Sequence, residues 1–125
     1  MTDPMVPVSW GELLDKIAIL EIKTRRLRGL DARANAANEL AALRRVAGSL
    51  PGIAELEAAL IAVNTRLWRI EDLVREKEAV RDFGPGFVAL ARAVYHENDE
   101  RGRIKQALNR VLRSSLVEEK QYSAY

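Results

Sequence analysis

Glu21, Asn64, Glu71, Arg75, Glu78, Asn98, Arg101 and Lys105 are polar residues placed where helical periodicity asks for oil. On a projection at about 3.6 residues per turn, Asn98, Arg101 and Lys105 fall in the stripe made by Phe87, Leu90, Ala91, Val94, Leu108 and Leu112. Burying such groups unpaired costs roughly several kcal/mol, so they must either pair inside the fold or line a pocket for something polar. In the pocket case Arg101, Lys105 and Arg75 are cationic clamps for a small anion, and Glu21 or Glu71 is an acid, a base or an orienting partner, with Asn64 and Asn98 supplying amides. In the other case the charges neutralise one another and fix the register between helices.

Other chemistries have less to stand on. The chain has no cysteine and a single histidine, His96, which projects away from the apolar stripe, so thiolate and histidine metal sites and a Ser–His–Asp triad are excluded. Glu71, Asp72, Glu97 and Asp99 are carboxylates suited to Mg²⁺, but they lack the paired acidic motifs of helical nucleotide pyrophosphatases. Gly84-Pro85-Gly86 joins helix to helix with no preceding strand, so it is not a phosphate loop. We therefore expect no metal and no cofactor. Arg25, Arg26, Arg28, Arg33, Arg44 and Arg45 form a basic edge without interleaved aromatics, a solvated face rather than a nucleic-acid surface. Trp10 and Trp68 read as core anchors.

The elements that must position these groups are all helical. Residues 1–8 form an extended arm, and Ser9-Trp10-Gly11-Glu12 has capping-box spacing, with Glu12 reaching back to the cap. The first helix spans about Trp10 to Arg28 and is apolar on two sides, as in a helix that is central in its bundle or covered by a second subunit. Asp31 caps a peripheral, alanine-rich second helix that ends at Gly48. Pro51 opens a third helix running to about Asp82, and a fourth runs from about Phe87 to Arg113. The short connector at Gly84 makes these two long helices antiparallel neighbours. Taking that turn as the pivot puts Glu71 level with Asn98 and within one turn of Arg101; if the first helix starts near the same end as the third, Glu21 falls close to Lys105 and Arg101. Residues 116–125 are either a frayed terminus or a clasp that docks its aromatics. The fold class is thus all-α: a single domain over 1–125, an antiparallel four-helix bundle with two long C-terminal helices and a short tail.

With 125 residues, 20 Lys+Arg and 18 Asp+Glu, the chain can bury one core and carries a net charge of only +2, which implies no nucleic-acid partner. No stretch of about 18 apolar residues and no signal-peptide pattern appears, so the expectation is a cytoplasmic protein with no membrane partner.

Ser9-Trp10-Gly11-Glu12-Leu13-Leu14-Asp15-Lys16-Ile17-Ala18-Ile19-Leu20-Glu21-Ile22-Lys23, Asn64-Thr65-Arg66-Leu67-Trp68-Arg69-Ile70-Glu71-Asp72, Asn98-Asp99-Glu100-Arg101 and Glu118-Glu119-Lys120-Gln121-Tyr122 together resemble a family of small bacterial proteins catalogued as a domain of unknown function. The resemblance implies a compact helical protein and places no role on any residue. The leading functional expectation is a non-enzymatic interaction or assembly module with a charged core. It would self-associate as a homodimer through apolar surface near Ile70, Val74, Phe87 and Val94. The alternative is a small-molecule-binding protein, or an enzyme similar in architecture and residue types to the all-helical dimeric chorismate mutases, acting on an anionic metabolite.

Overall fold

The computed structural model describes residues 1–125 and contains four α-helices and no strand. They are α1 (Trp10–Arg26), α2 (Leu30–Ala47), α3 (Ala54–Ala79) and α4 (Pro85–Val111). The all-α class and the two long C-terminal helices follow the hydropathy pattern. None of the helices is long and apolar enough to cross a membrane.

Helix α1 is the hub. It packs on each of the other three helices, whereas α2 packs on α1 alone. Two faces of α1 are therefore needed, and the sequence has them: Leu13, Leu14, Ile17 and Leu20 on one side, Gly11, Asp15, Ala18 and Ile22 on the other, all buried. The core joins the first set to Ala36 and Leu40 of α2, Leu60, Val63 and Leu67 of α3, and Ile104 and Leu108 of α4. Ile53, just before α3, closes the bundle with 1% of its surface exposed. Burying each of these Leu, Ile and Val side chains contributes about 1.5–3 kcal/mol.

Several helix ends differ from expectation, each for a local reason. Ser9 caps α1 by accepting from the Glu12 amide at 3.1 Å. Glu12 does not reach back to complete the box; its carboxylate instead accepts from the Lys105 ammonium at 2.8 Å, and a charge-assisted bond to a buried ammonium is the stronger interaction. Gly29 rather than Asp31 is the cap of α2, and Asp31 lies in the first turn, where it still favours the positive end of the helix dipole. Pro51 does not begin α3, because Pro51 and Gly52 form a turn in which Gly52 has φ 81°. The proline that opens a helix is Pro85, in the first turn of α4.

Helices α3 and α4 end alike. The amide of Asp82 donates to the Lys77 carbonyl at 3.0 Å and that of Ser114 to the Asn109 carbonyl at 2.8 Å. These are the long backbone bonds that close a helix around a left-handed residue. That residue is Arg81 (φ 55°) in one and Arg113 (φ 53°) in the other. Past Arg81, Asp82 accepts from the Gly84 amide at 3.1 Å and from Lys77 at 3.0 Å, which turns the chain into α4.

The C-terminal segment is a clasp. Beyond α4 it doubles back along that helix, placing Glu118 on Lys105, the Lys120 stem over Gly102, and Tyr125 against Tyr95 and His96.

Candidate functional site: a paired polar network at the α1, α3 and α4 junction

The start of α1 lies against the last turns of α4 at backbone distance. A Cβ on Gly11 would sit 2.6 Å from the Lys105 carbonyl oxygen, closer than real side chains approach. That proximity lets the Gly11 amide donate to Asn109 Oδ1 at 2.7 Å, and the Trp10 amide donate to Ser114 Oγ at 3.2 Å. Two of the donors orphaned at the start of α1 are thus satisfied by α4 and its end.

One turn deeper, α1 meets α3. Asn64 Nδ2 donates to Asp15 Oδ1 at 2.8 Å, and Arg101 Nη1 donates to Asn64 Oδ1 at 3.3 Å. Beside them Lys105 Nζ is held between Glu12 Oε2 at 2.8 Å and Glu118 Oε2 at 2.9 Å, with 8% of its side chain exposed. Desolvation pulls the Lys105 pKa down, but hydrogen bonds to the two carboxylates outweigh it and hold the ammonium above its ordinary value. The Lys105 hydrogen bond correspondingly holds the Glu118 carboxyl below the ordinary range against a smaller desolvation effect. No buried side-chain nitrogen or oxygen in the protein lacks a partner.

Three of the seven residues proposed from the sequence as ligand-binding, Asn64, Arg101 and Lys105, meet in this network. Asn98 lies a turn away and lines a cleft beneath the C-terminal tail. The other three are elsewhere. Glu21 pairs with Arg44 of α2 and, at 3.8 Å, with Arg25. Glu71 and Arg75 form an exposed pair within α3 at 3.4 Å, and Glu78 is exposed.

Both displacements have the same physical origin, an offset along a helix axis. The α3–α4 register is set by Asn64 opposite Arg101 and Arg66 opposite Glu97, the latter pair 2.9 Å apart. Because α3 ends at Ala79 and a non-helical turn follows, Glu71 stands several residues away from the level of Asn98, or roughly 8 Å along the axis. Likewise Glu12, not Glu21, reaches Lys105; the nine-residue step between them spans about 13 Å.

Asp15, Asn109, Glu12 and Glu118 complete the network and were not among the expected site residues. Part of that signal is legible. Gly11, Asp15, Ala18 and Ile22 follow each other at intervals of four, three and four, the mark of a second buried face. Asn109 stands one turn beyond Lys105 on the same side of α4. Glu118 gives no local signal, since only the reversal of the tail brings it there.

As chemistry, the network is paired, with Lys105 buried and Arg101 partly exposed. Each cation has a carboxylate or amide partner, and none of the principal surface clefts is lined by Arg101 or Lys105. No three histidine, aspartate or glutamate side chains stand close enough to hold a metal ion. Trp10 packs against the core, and Trp68 is half-buried beside Arg26, Leu27 and Asp72.

No curated protein and no solved structure matches the chain significantly. A family profile does match, over residues 5–125, nearly the whole length. The chain therefore belongs to a family of unknown function, DUF6165.

Proposed function

We propose that this protein is a non-enzymatic assembly module that pairs with a second copy through the far end of its α3–α4 hairpin. The observation that carries this reading is the isolation of that end. No residue of α3 beyond Leu67, and none of α4 before Gly102, is fully buried. Yet Phe87-Val88-Ala89-Leu90-Ala91-Arg92-Ala93-Val94-Tyr95 contains one charged residue and presents apolar atoms in every direction around the helix. A segment apolar all round belongs in an interior. Ile70, Leu73, Val74, Phe87, Leu90 and Val94 are only half-buried, while Val80, Phe83 and Val88 are at least half exposed.

A second copy suits this end in charge as well as in apolarity. Arg92 is its lone cation on α4, and on the neighbouring stretch of α3 Asp72 is exposed without an ion pair, whereas Glu71 is already held by Arg75. A two-fold arrangement would set each Arg92 against the other copy's Asp72, converting two hairpins into a four-helix bundle. The paired network at the opposite end is in keeping with the same reading, because its pairing fixes helix register and holds the Lys105 ammonium between two carboxylates. The anion-binding alternative would need Lys105 to leave its two carboxylates and open toward solvent beside the partly exposed Arg101.

Sedimentation equilibrium of the full chain tests the proposal. The expected result is a dimer at micromolar concentration, converted to a monomer of unchanged helicity by Val88→Glu or Ala89→Glu. A wild-type monomer over that range, or a dimer indifferent to both substitutions, would refute it.

A further inference from the structure

The C-terminal clasp and α4 border an open cleft that the assembly reading does not use. It has a volume of about 430 Å³ and is lined by Tyr95, Asn98, Asp99, Tyr122 and Tyr125, a size in the range of small-ligand sites. Three of its five lining residues are tyrosines, two of them supplied by the tail. The Tyr125 and Tyr95 rings meet edge to face at 5.1 Å, and the His96 ring meets Tyr125 edge to face at 4.9 Å. The Tyr125 hydroxyl donates to Asp99 Oδ2. No lysine or arginine pairs with the Asp99 carboxylate, and none lines the cleft; the nearby Arg103 is engaged with Glu100 at 2.9 Å.

We propose that this cleft is a binding site for an organic ammonium group, carried either by a small metabolite or by a methylated lysine side chain. The physical argument is the sign of everything that lines it. Aromatic faces carry negative potential and attract cations, most strongly those too weakly hydrated to prefer water. Asp99 adds a full negative charge, and the Asn98 amide oxygen and tyrosine hydroxyls add acceptors. An anion would be repelled by Asp99, and a purely apolar ligand would leave that carboxylate without a counter-charge. The protein already places one cation in this way, since Lys120 Nζ lies 6.0 Å from the centroid of the Tyr122 ring. Two walls of the cleft belong to the tail, so an occupant would also fasten the clasp to α4.

The test is a titration of the full chain, read from the ring resonances of Tyr95, Tyr122 and Tyr125. The probes are choline, trimethyllysine, and the neutral analogue of choline in which carbon replaces the quaternary nitrogen. The proposal expects saturable shifts with an ammonium probe, and affinity for the carbon analogue weaker by about tenfold or more. Tighter binding of choline would assign the site to a free metabolite, and tighter binding of trimethyllysine to a protein side chain. Tyr122→Leu should abolish most of the binding. Asp99→Asn should do the same while keeping an acceptor for Tyr125, so a loss there reports charge and not release of the tail. Absence of saturable shifts with both ammonium probes, equal affinity for the carbon analogue, or unaltered choline affinity in both variants would overturn it. Far-ultraviolet circular dichroism verifies that each variant keeps its helices.

Discussion

Gly11 and Lys105 touch through their backbones: the α-carbon of one faces the carbonyl oxygen of the other with no room for a methyl group between them. Alanine normally stabilises a helix interior relative to glycine by about 0.5–1 kcal/mol. Here the added methyl must push α1 from α4 and stretch the 2.7 Å bond from the Gly11 amide to Asn109. Gly11→Ala is expected to destabilise the protein by about 1–3 kcal/mol, the usual cost of overpacking, as measured by urea denaturation. Unchanged or higher stability would mean that the two helices do not approach so closely.

Asn64 bridges a buried carboxylate and a guanidinium, and Asp15 itself is 4% exposed. Asn64→Ala would leave that carboxylate without its hydrogen-bond donor. The expected loss is about 2–3 kcal/mol in the same assay, since an orphaned charged group costs more than a neutral one. A loss below about 0.5 kcal/mol, the range of ordinary surface substitutions, would show that the network is not needed for packing.

The Lys105–Glu118 pair sets a pH window for tail docking. Glu118 has a folded pKa below its ordinary 4.5, so its contribution is present above 4.5 and is lost as pH falls through the lower, folded value. Lys105 has a folded pKa above its ordinary 10.5, so its contribution is full below 10.5 and is lost as pH rises through the higher, folded value. Tyr125, whose hydroxyl proton is held by Asp99, has its pKa raised from 10.0 and disfavours docking once it ionises. Carbon chemical shifts of residues 118–120 should therefore be flat across neutral pH and move only at the acidic and alkaline extremes. Glu118→Gln should abolish the acidic limb. A transition near pH 7 would contradict this account.

Arg81 and Arg113 occupy left-handed backbone positions that glycine adopts without a Cβ clash. Arg81→Gly and Arg113→Gly should each stabilise the protein by roughly 1 kcal/mol, read as a rise in thermal midpoint. Neither arginine takes part in an ion pair that the change would break. A fall in thermal midpoint for both would show that the left-handed geometry is not costing stability.

The legible part of the candidate site lay in residues whose polarity clashed with their own helix. Asn64, Arg101 and Lys105 stood out because they interrupt apolar stripes, and they converge. Glu21, Glu71 and Arg75 stood out by the same rule and do not, because periodicity places a residue on a face without saying what faces it. Asp15 and Gly11 were hidden in a helix with two buried sides, where the broader face dominates the pattern. The clasp was legible only as a choice between docking and fraying.

The chain by itself determined four helices, two apolar sides on α1, the marginal place of α2 and the antiparallel pairing of α3 with α4. These follow from hydrophobic period, helix propensity and a short connector, all of which act within some twenty residues of sequence. Tertiary structure alone decided which polar groups pair. A carboxylate reaches an ammonium over about 3 Å, whereas one turn of slip between helices moves it about 5.4 Å, so partners depend on where each helix starts and how the turn between α3 and α4 is closed. Glu12 rather than Glu21 on Lys105, and Glu118 brought home by a reversed tail, are the consequences.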